Sequence, residues 1–256
     1  MNKNYTLTHA HSGGRLGNHI IRNIALLILV KKFGLYAEYY YSEEIEKLGI
    51  VLYSGEKKHT NTIKITDNNY ISFLDKTTIN SNLNLDYSYF QTKEITNVIH
   101  SYLKTEEVKN EIENENPYKE RYNNNNDLFI HIRLGDVYQH GWNISKEYYE
   151  KCIERCKNSD NIYIASDSLD SVFISELQKK YKNIKLVSKN EIETIQFGST
   201  CKYVSLSHGS FSAIIGYISF YSKEIYYSDE PNVWGNNGCL ENKGFINISN
   251  KILNIK

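Results

Sequence analysis

The sequence predicts an α/β protein made of two Rossmann-like lobes that face one another across a cleft. From residue 127 onward, apolar segments typical of strands alternate with segments of helical periodicity, which indicates a parallel, doubly wound sheet. The chain also opens with a strand, a glycine turn, a helix and a second strand. A charged, asparagine-rich segment, Tyr118–Asn126, separates the halves and is predicted to be a linker. We therefore expect one lobe over residues 1–122 and another over residues 127–256.

The first lobe is predicted to begin with a βαβ unit. Alternation over Tyr5–Ala10 indicates a strand, and the apolar spacing of Leu16–Lys32 indicates a helix that ends near Gly34. Leu35–Tyr41 is predicted to be the second strand. Residues 42–90 show no clear pattern, whereas the spacing within Lys93–Glu115 indicates a helix.

The second lobe is predicted to alternate strictly between strands and helices. The strands are expected at Asp127–Arg133, Asn161–Ser166, Ile184–Val187, Lys202–Leu206 and Glu224–Tyr227. The helices are expected at Tyr148–Lys157, at Ser168–Tyr181 with Asp167 or Ser168 as its cap, and at Ser210–Tyr221. In such folds, ligands bind at the carboxyl ends of the strands.

Composition excludes several classes of protein. The chain has 256 residues, with 30 lysines and arginines and 30 acidic residues, so its formal charge of zero argues against a nucleic-acid binder. The longest apolar run, Ile24–Val30, is far shorter than the ~20 residues that span a bilayer. Residues Met1–Tyr5 lack the apolar core of a signal peptide, so we expect a cytoplasmic protein or a soluble catalytic piece of a longer one.

The four cysteines are expected to be free thiols. They lie at positions without the tight spacing of a zinc site or the density of a disulfide framework: Cys152, Cys156, Cys201 and Cys239. No metal site is predicted from them or from the histidines.

Two segments at predicted strand ends carry residues suited to an anion. Arg133 ends the strand that begins at Asp127, and its guanidinium offers a planar fork of donors to phosphate oxygens. The alternative is that Arg133 pairs with Asp136. Ser207 and Ser210 follow a strand and begin a helix, where N–H groups and the helix dipole favour an anion. Simple N-capping by these serines is the alternative.

Other motifs narrow the chemistry. Asp167 follows a strand and could accept from a ribose hydroxyl or a base N–H, or could cap the next helix. The glycine segment Gly13–Asn18 has neither the Walker ending nor the G-x-G-x-x-G spacing, which argues against a nicotinamide enzyme. The sequence has no Asp-x-Asp triplet, which argues against a glycosyltransferase that holds its donor through a metal ion.

These segments together resemble the α-1,2-fucosyltransferase family. His131–Asp136 is similar to the family motif H-x-R-R-G-D, and Gly14–Asn18 is similar to G-x-L-G-N-Q. Four further segments match family motifs in the same order along the chain, namely Tyr89–Lys93, Ala165–Asp167, Ser207–Ser212 and Pro231–Trp234.

The resemblance implies a GT-B-like fold and an inverting, metal-independent transfer of fucose or a related 6-deoxyhexose from a GDP-sugar to a glycan hydroxyl, with no cofactor. It implies that Arg133 holds the β-phosphate and that His131 and Asp167 face the nucleoside. The first lobe would be the acceptor side and the second would bind the nucleotide sugar. The implied donor-site residues are His131, Arg133, Asp136, Asp167, Ser207, Ser210, Phe211, Ser212, Gly14, Arg15, Gly17 and Asn18.

The chain departs from the family motif at Leu134, where a second arginine is usual. Arg15 is the candidate to replace that charge; otherwise the donor sugar differs. His19, or alternatively His11, is the candidate general base, because an imidazole titrates near neutral pH. The alternatives to the fucosyltransferase are a protein O-fucosyltransferase-like enzyme and a non-catalytic module that binds nucleotide or glycan.

Overall fold

The computed structural model describes residues 7–85, 88–230 and 238–248. The chain divides into two compact units, the first running through Asn116 and taking Asn237–Cys239, the second beginning at Pro117. Each unit contains one sheet in which every strand pair is parallel. The predicted α/β class with two parallel sheets is therefore confirmed.

The first unit has a four-stranded sheet. Its strands are β1 (Thr8–Ala10), β2 (Ala37–Glu38), β3 (Thr62–Lys64) and β4 (Asn82–Leu85), in the order β2-β1-β4-β3. Its helices are α1 (Leu16–Phe33), α2 (Ser42–Glu46), α3 (Tyr70–Leu74), α4 (Lys93–Leu103) and α5 (Glu106–Glu115). No helix in the described part of the chain is both long and apolar enough to cross a membrane.

Helix α1 matches its prediction closely because its own sequence determines both its buried face and the residue at which it ends. Most of its side chains are buried, and Gly34 follows it with φ 68°, donating its N–H to the Val30 carbonyl. Glycine adopts this left-handed conformation without steric penalty, so the helix ends there. Lys31 and Lys32 lie in the last turn, where they complement the helix dipole.

The rest of the first unit departs from the prediction. The expected strand Leu35–Tyr41 is only two residues long, and the expected helix Lys93–Glu115 is two helices separated at Lys104–Thr105. Strand β4 was not predicted because asparagines interrupt its apolar pattern. Asn82 nevertheless fits the strand, since its side chain pairs with the backbone N–H and C=O of His59.

The second unit has a six-stranded sheet. Its strands are β5 (Leu128–Ile132), β6 (Ile162–Ser166), β7 (Ile184–Leu186), β8 (Tyr203–Ser205), β9 (Glu224–Tyr227) and β10 (Phe245–Asn247), in the order β10-β9-β8-β5-β6-β7. Its helices are α6 (Gly135–Tyr138), α7 (Lys146–Arg155), α8 (Val172–Lys180), α9 (Glu191–Gly198) and α10 (Ser210–Tyr217), after a 3-10 turn at Lys119–Arg121.

The strand order of the second unit is the doubly wound order in which the first strand is central. After β5 the chain moves outward through β6 and β7, then returns to pair β8 on the other side of β5. The connections on the two sides of β5 and β8 therefore leave in opposite directions. This reversal is the position at which open α/β sheets bind ligands.

One prediction in the second unit is wrong, and the predicted linker is held in place. Within Tyr118–Asn126, Arg121 forms an ion pair with Asp127 at 2.7 Å and donates to Thr200. Neither Asp167 nor Ser168 caps helix α8. The cap is Ser171, whose hydroxyl accepts the Ile174 N–H. Helix α9 and strand β10 were not predicted. The motif Pro231–Trp234 lies outside the described residues.

Candidate functional site

The central strands of the second unit bring together the two segments that were predicted to bind an anion. Arg133 directly follows β5, and Ser207 lies shortly after β8. The Arg133 backbone N–H donates to the Ser207 hydroxyl at 3.2 Å, which ties the two segments to each other. The predicted residues thus meet at the sheet edge where the connections diverge.

The Arg133 guanidinium lies between a carboxylate and the start of helix α10. Its Nη2 donates to both carboxylate oxygens of Asp136 at 3.1 Å, so the predicted alternative pairing is present. Its Nη1 lies 3.0 Å from the point that a Cβ on Gly209 would occupy. Its Nε is buried and has no hydrogen-bond partner among the described residues. The guanidinium therefore retains donor capacity beyond its ion pair.

Helix α10 begins at a glycine. Gly209 is the N-cap, with φ 88° and ψ 172°, so the cap residue has no side chain that could accept a helix N–H. The predicted alternative, in which Ser207 or Ser210 is the N-cap residue, is therefore wrong. Because a helix start carries partial positive charge, α10 adds to the charge of Arg133 at the same place.

His131 is a buried neutral residue beside Arg133. Its Nδ1 is 2.8 Å from the Ser212 hydroxyl, and its ring lies 5.1 Å from that of Phe211. Burial lowers the pKa of His131 to about 4; nearby Asp167 raises it and Arg133 lowers it further. At neutral pH, His131 can therefore hydrogen-bond to a ligand but adds no charge.

Asp167 and Ser207 hold the loop after β5 in place. Asp167 Oδ1 accepts the N–H groups of Leu134 and Gly135 at 2.8 and 3.0 Å. The position at which the family has its second arginine is buried here. Leu134 is 2% exposed and packs in the apolar core of this unit. An arginine at position 134 would bury its guanidinium there, so direct substitution cannot restore the missing second charge.

In the first unit, the glycine segment meets another of the predicted motifs. The Gln91 side chain donates to Asn18 Oδ1 at 2.8 Å. Gly14 has φ 103°, and a Cβ there would lie 2.7 Å from Asn18 Nδ2, so glycine is required at this turn. Gly17 is buried in α1, and Arg15 is its exposed N-cap. The donor-site roles of Gly14, Arg15, Gly17 and Asn18 stay predictions.

Arg22 is an important residue that the sequence analysis missed. It is 3% exposed; its Nε donates to the Ser88 carbonyl at 2.8 Å, and its Nη1 donates to the Gly13 carbonyl. Its guanidinium also lies over the Tyr89 ring. Arg22 thus holds the glycine turn against the segment that contains Gln91. An arginine on the buried face of an apolar helix is the sequence signal that could have found it.

The two candidate general bases are both engaged. His19 is 1% exposed, stacks on Tyr41 at 4.2 Å, and has Nε2 3.2 Å from the Gly14 carbonyl. Burial is the main cause that lowers its pKa. His11 Nδ1 accepts the Gly13 N–H at 2.8 Å, so the turn would have to release that nitrogen before it could take a proton. General-base catalysis by His19 stays a prediction.

The low pKa of His131 predicts that acid destabilises the fold. The unfolded chain binds a proton near pH 6.5, whereas folded His131 does so only near pH 4. The free energy of unfolding therefore has its full value above pH 6.5 and decreases as the pH falls toward 4. His131 accounts for a decrease of about 2 kcal/mol between pH 7 and pH 5. In denaturant unfolding, the decrease in stability from pH 7 to pH 5 should be smaller in His131→Gln than in wild type by about 2 kcal/mol. The exposed His140→Gln is the control; equal losses in wild type and His131→Gln would contradict this.

Comparisons with known proteins found similarities among solved structures. No protein-family model matches the sequence, and no curated protein matches it. Among solved structures, the chain is similar to the crystal structure of NodZ alpha-1,6-fucosyltransferase soaked with GDP-fucose. The TM-score is 0.47 and the identity 10%, over 90% of this chain and 97% of that chain. Within the described residues, no three His, Cys, Asp or Glu side chains are grouped so that they could hold a metal ion.

Proposed function

We propose that this protein is a glycosyltransferase that moves fucose or a related 6-deoxyhexose from a GDP-sugar to a glycan hydroxyl, with inversion and without a metal ion. One observation carries the proposal: the Arg133 guanidinium lies against the glycine N-cap of α10, where the two central strands of a doubly wound sheet end. The ordered motifs from Gly14 to Ser212 are the reason for proposing a GDP-sugar as the donor.

The arrangement suits the leaving group of glycosyl transfer. As the glycosidic bond breaks, negative charge develops on the departing diphosphate, and fixed donors placed there lower the barrier. Arg133 supplies a full charge and unused N–H donors, and the start of α10 supplies a dipole. Arg133 is therefore the proposed catalytic residue, because it would contact the diphosphate in the transition state.

The nucleoside would lie toward β6. Asp167, at the end of that strand, is exposed although its Oδ1 binds the loop. A carboxylate there can accept from ribose hydroxyls or from the N–H groups of guanine. Neutral His131, which pairs with Ser212, would lie beside the nucleotide next to Arg133. Contacts of this kind would favour a nucleotide over inorganic phosphate.

The direct test is a thermal-shift comparison of GDP, UDP and CMP without added metal. We expect GDP to stabilise the protein by ~2.7 kcal/mol at a hundredfold excess over Kd, or roughly 5–10 °C. Addition of EDTA should not change the shift, and Arg133→Ala should remove most of it. A larger shift with UDP, or a shift that EDTA abolishes, would contradict the assignment. Release of GDP from GDP-fucose then separates an enzyme from a binding module.

A further inference from the structure

His208 is a buried histidine that the mechanism above does not use. It lies between Ser207 and the N-cap Gly209, and it is 1% exposed. Its Nε2 is buried without a hydrogen-bond partner among the described residues. Buried polar atoms of folded proteins are almost always paired, so this nitrogen calls for an explanation.

The hydrogen bonds around Ser207 determine which nitrogen of His208 carries the proton. The Ser207 hydroxyl accepts the Arg133 N–H and the Tyr149 hydroxyl proton, each at 3.2 Å. With both lone pairs occupied, its own proton is free to go to His208 Nδ1, 3.4 Å away. The proton of neutral His208 is then on Nε2, which makes the unpaired nitrogen a donor.

His208 precedes Gly209, against which the Arg133 guanidinium lies. Burial is the largest cause that lowers its pKa, to about 3, and Arg133 and His131 lower it further while Asp136 raises it. His208 is therefore neutral at physiological pH. Two buried donors without partners, His208 Nε2 and Arg133 Nε, thus lie in the same small region at the start of α10.

We propose that His208 is a further ligand of the diphosphate, donating from Nε2–H to the anion that Arg133 and the start of α10 hold. This inference rests on the proposed function for the identity of the anion. A neutral donor adds affinity without adding charge, and the orientation that Ser207 imposes means that no proton has to move when the ligand binds.

The test uses paired substitutions of the full chain. His208→Phe keeps a ring but removes the donor, whereas His208→Gln offers an amide N–H in its place. His59→Phe is the matched control, because His59 Nε2 is also buried and unpaired but lies in the first unit. Binding of GDP and of inorganic pyrophosphate is measured calorimetrically without metal.

We expect His208→Phe to weaken both probes about 10- to 50-fold, with His208→Gln within about threefold of wild type and His59→Phe unchanged. If folded His208→Phe binds both probes as tightly as wild type, the proposal is wrong. It also fails if wild type binds neither probe. If pyrophosphate binding depends on His208 but no GDP-sugar is consumed, the inference stands and the proposed function fails.

A second measurement covers the case in which His208→Phe does not fold. In wild type labelled with ¹⁵N-histidine, we expect a neutral histidine protonated at Nε2 whose N–H resonance shifts when pyrophosphate is added. His208→Gln identifies it as the signal that disappears. A His208 signal protonated at Nδ1, or one that pyrophosphate does not move, would overturn the proposal.

Discussion

Replacement of Arg133 by alanine is expected to lower the rate of sugar transfer about a hundred- to a thousandfold. The loss follows from the removal of a charged donor at the point where negative charge develops on the leaving diphosphate, an interaction worth ~2.7–4 kcal/mol. Arg133→Lys should restore only part of the rate, because an ammonium group cannot contact Asp136 and the start of α10 with one planar fork. Steady-state rates of GDP release measure both effects.

Arg155→Ala is the control for this experiment, since Arg155 is an exposed arginine on α7 of the same unit. It should leave the rate unchanged. Arg133→Ala should unfold close to the wild-type temperature, because its side chain pairs with a carboxylate near the surface. If folded Arg133→Ala keeps more than a tenth of the wild-type rate, Arg133 is a structural residue.

Replacement of Gly209 by alanine is expected to lower the rate about a hundredfold. Gly209 has φ 88° and ψ 172°, a combination that is nearly restricted to glycine and costs other residues about 1–3 kcal/mol. The new methyl group would also lie 3.0 Å from Arg133 Nη1. Both effects displace the guanidinium or the start of α10, and a shift of about 1 Å in such a group is enough for a loss of that size.

Gly244→Ala separates the strain from the displacement. Gly244 also has a positive φ, 101°, but a Cβ there meets nothing within 4 Å. Both variants should lose stability in denaturant unfolding, and only Gly209→Ala should lose transfer activity and affinity for GDP. Equal activity losses in the two variants would show that Gly209 acts through general stability and not through its contact with Arg133.

Elements whose apolar periodicity and end signals lie in their own sequence were predicted well. Helix α1 carries its buried face and its terminating Gly34 in its own sequence. Strand β4 does not, because the side chain of Asn82 pairs with a loop more than twenty residues earlier. Local periodicity contains no information about that pairing, so the first sheet was incompletely predicted.

The candidate site was predictable to the same extent. Arg133 and Ser207–Ser212 follow apolar strands, so both were expected at strand ends, and the structure brings these two strand ends together. The structural contact of Asp167 depends on amides more than thirty residues earlier, whereas the sequence suggested a nucleoside contact or a helix cap. Arg22 was overlooked although its place within an apolar helix marks it in the sequence. His208 was overlooked because only its burial distinguishes it from an ordinary polar residue.

The central strand pairings also constrain how the chain folds. Arg133 and Ser207 are 74 positions apart, and Asn18 and Gln91 are 73 apart, so each pair of central segments closes a long loop before its contacts form. Parallel pairing at such separation gives a high contact order and slow folding. During synthesis, one edge of β5 can pair with β6, whereas its other edge has no partner until β8 has emerged. Until then, that open edge of an apolar strand is where the nascent chain is exposed to pairing with other chains.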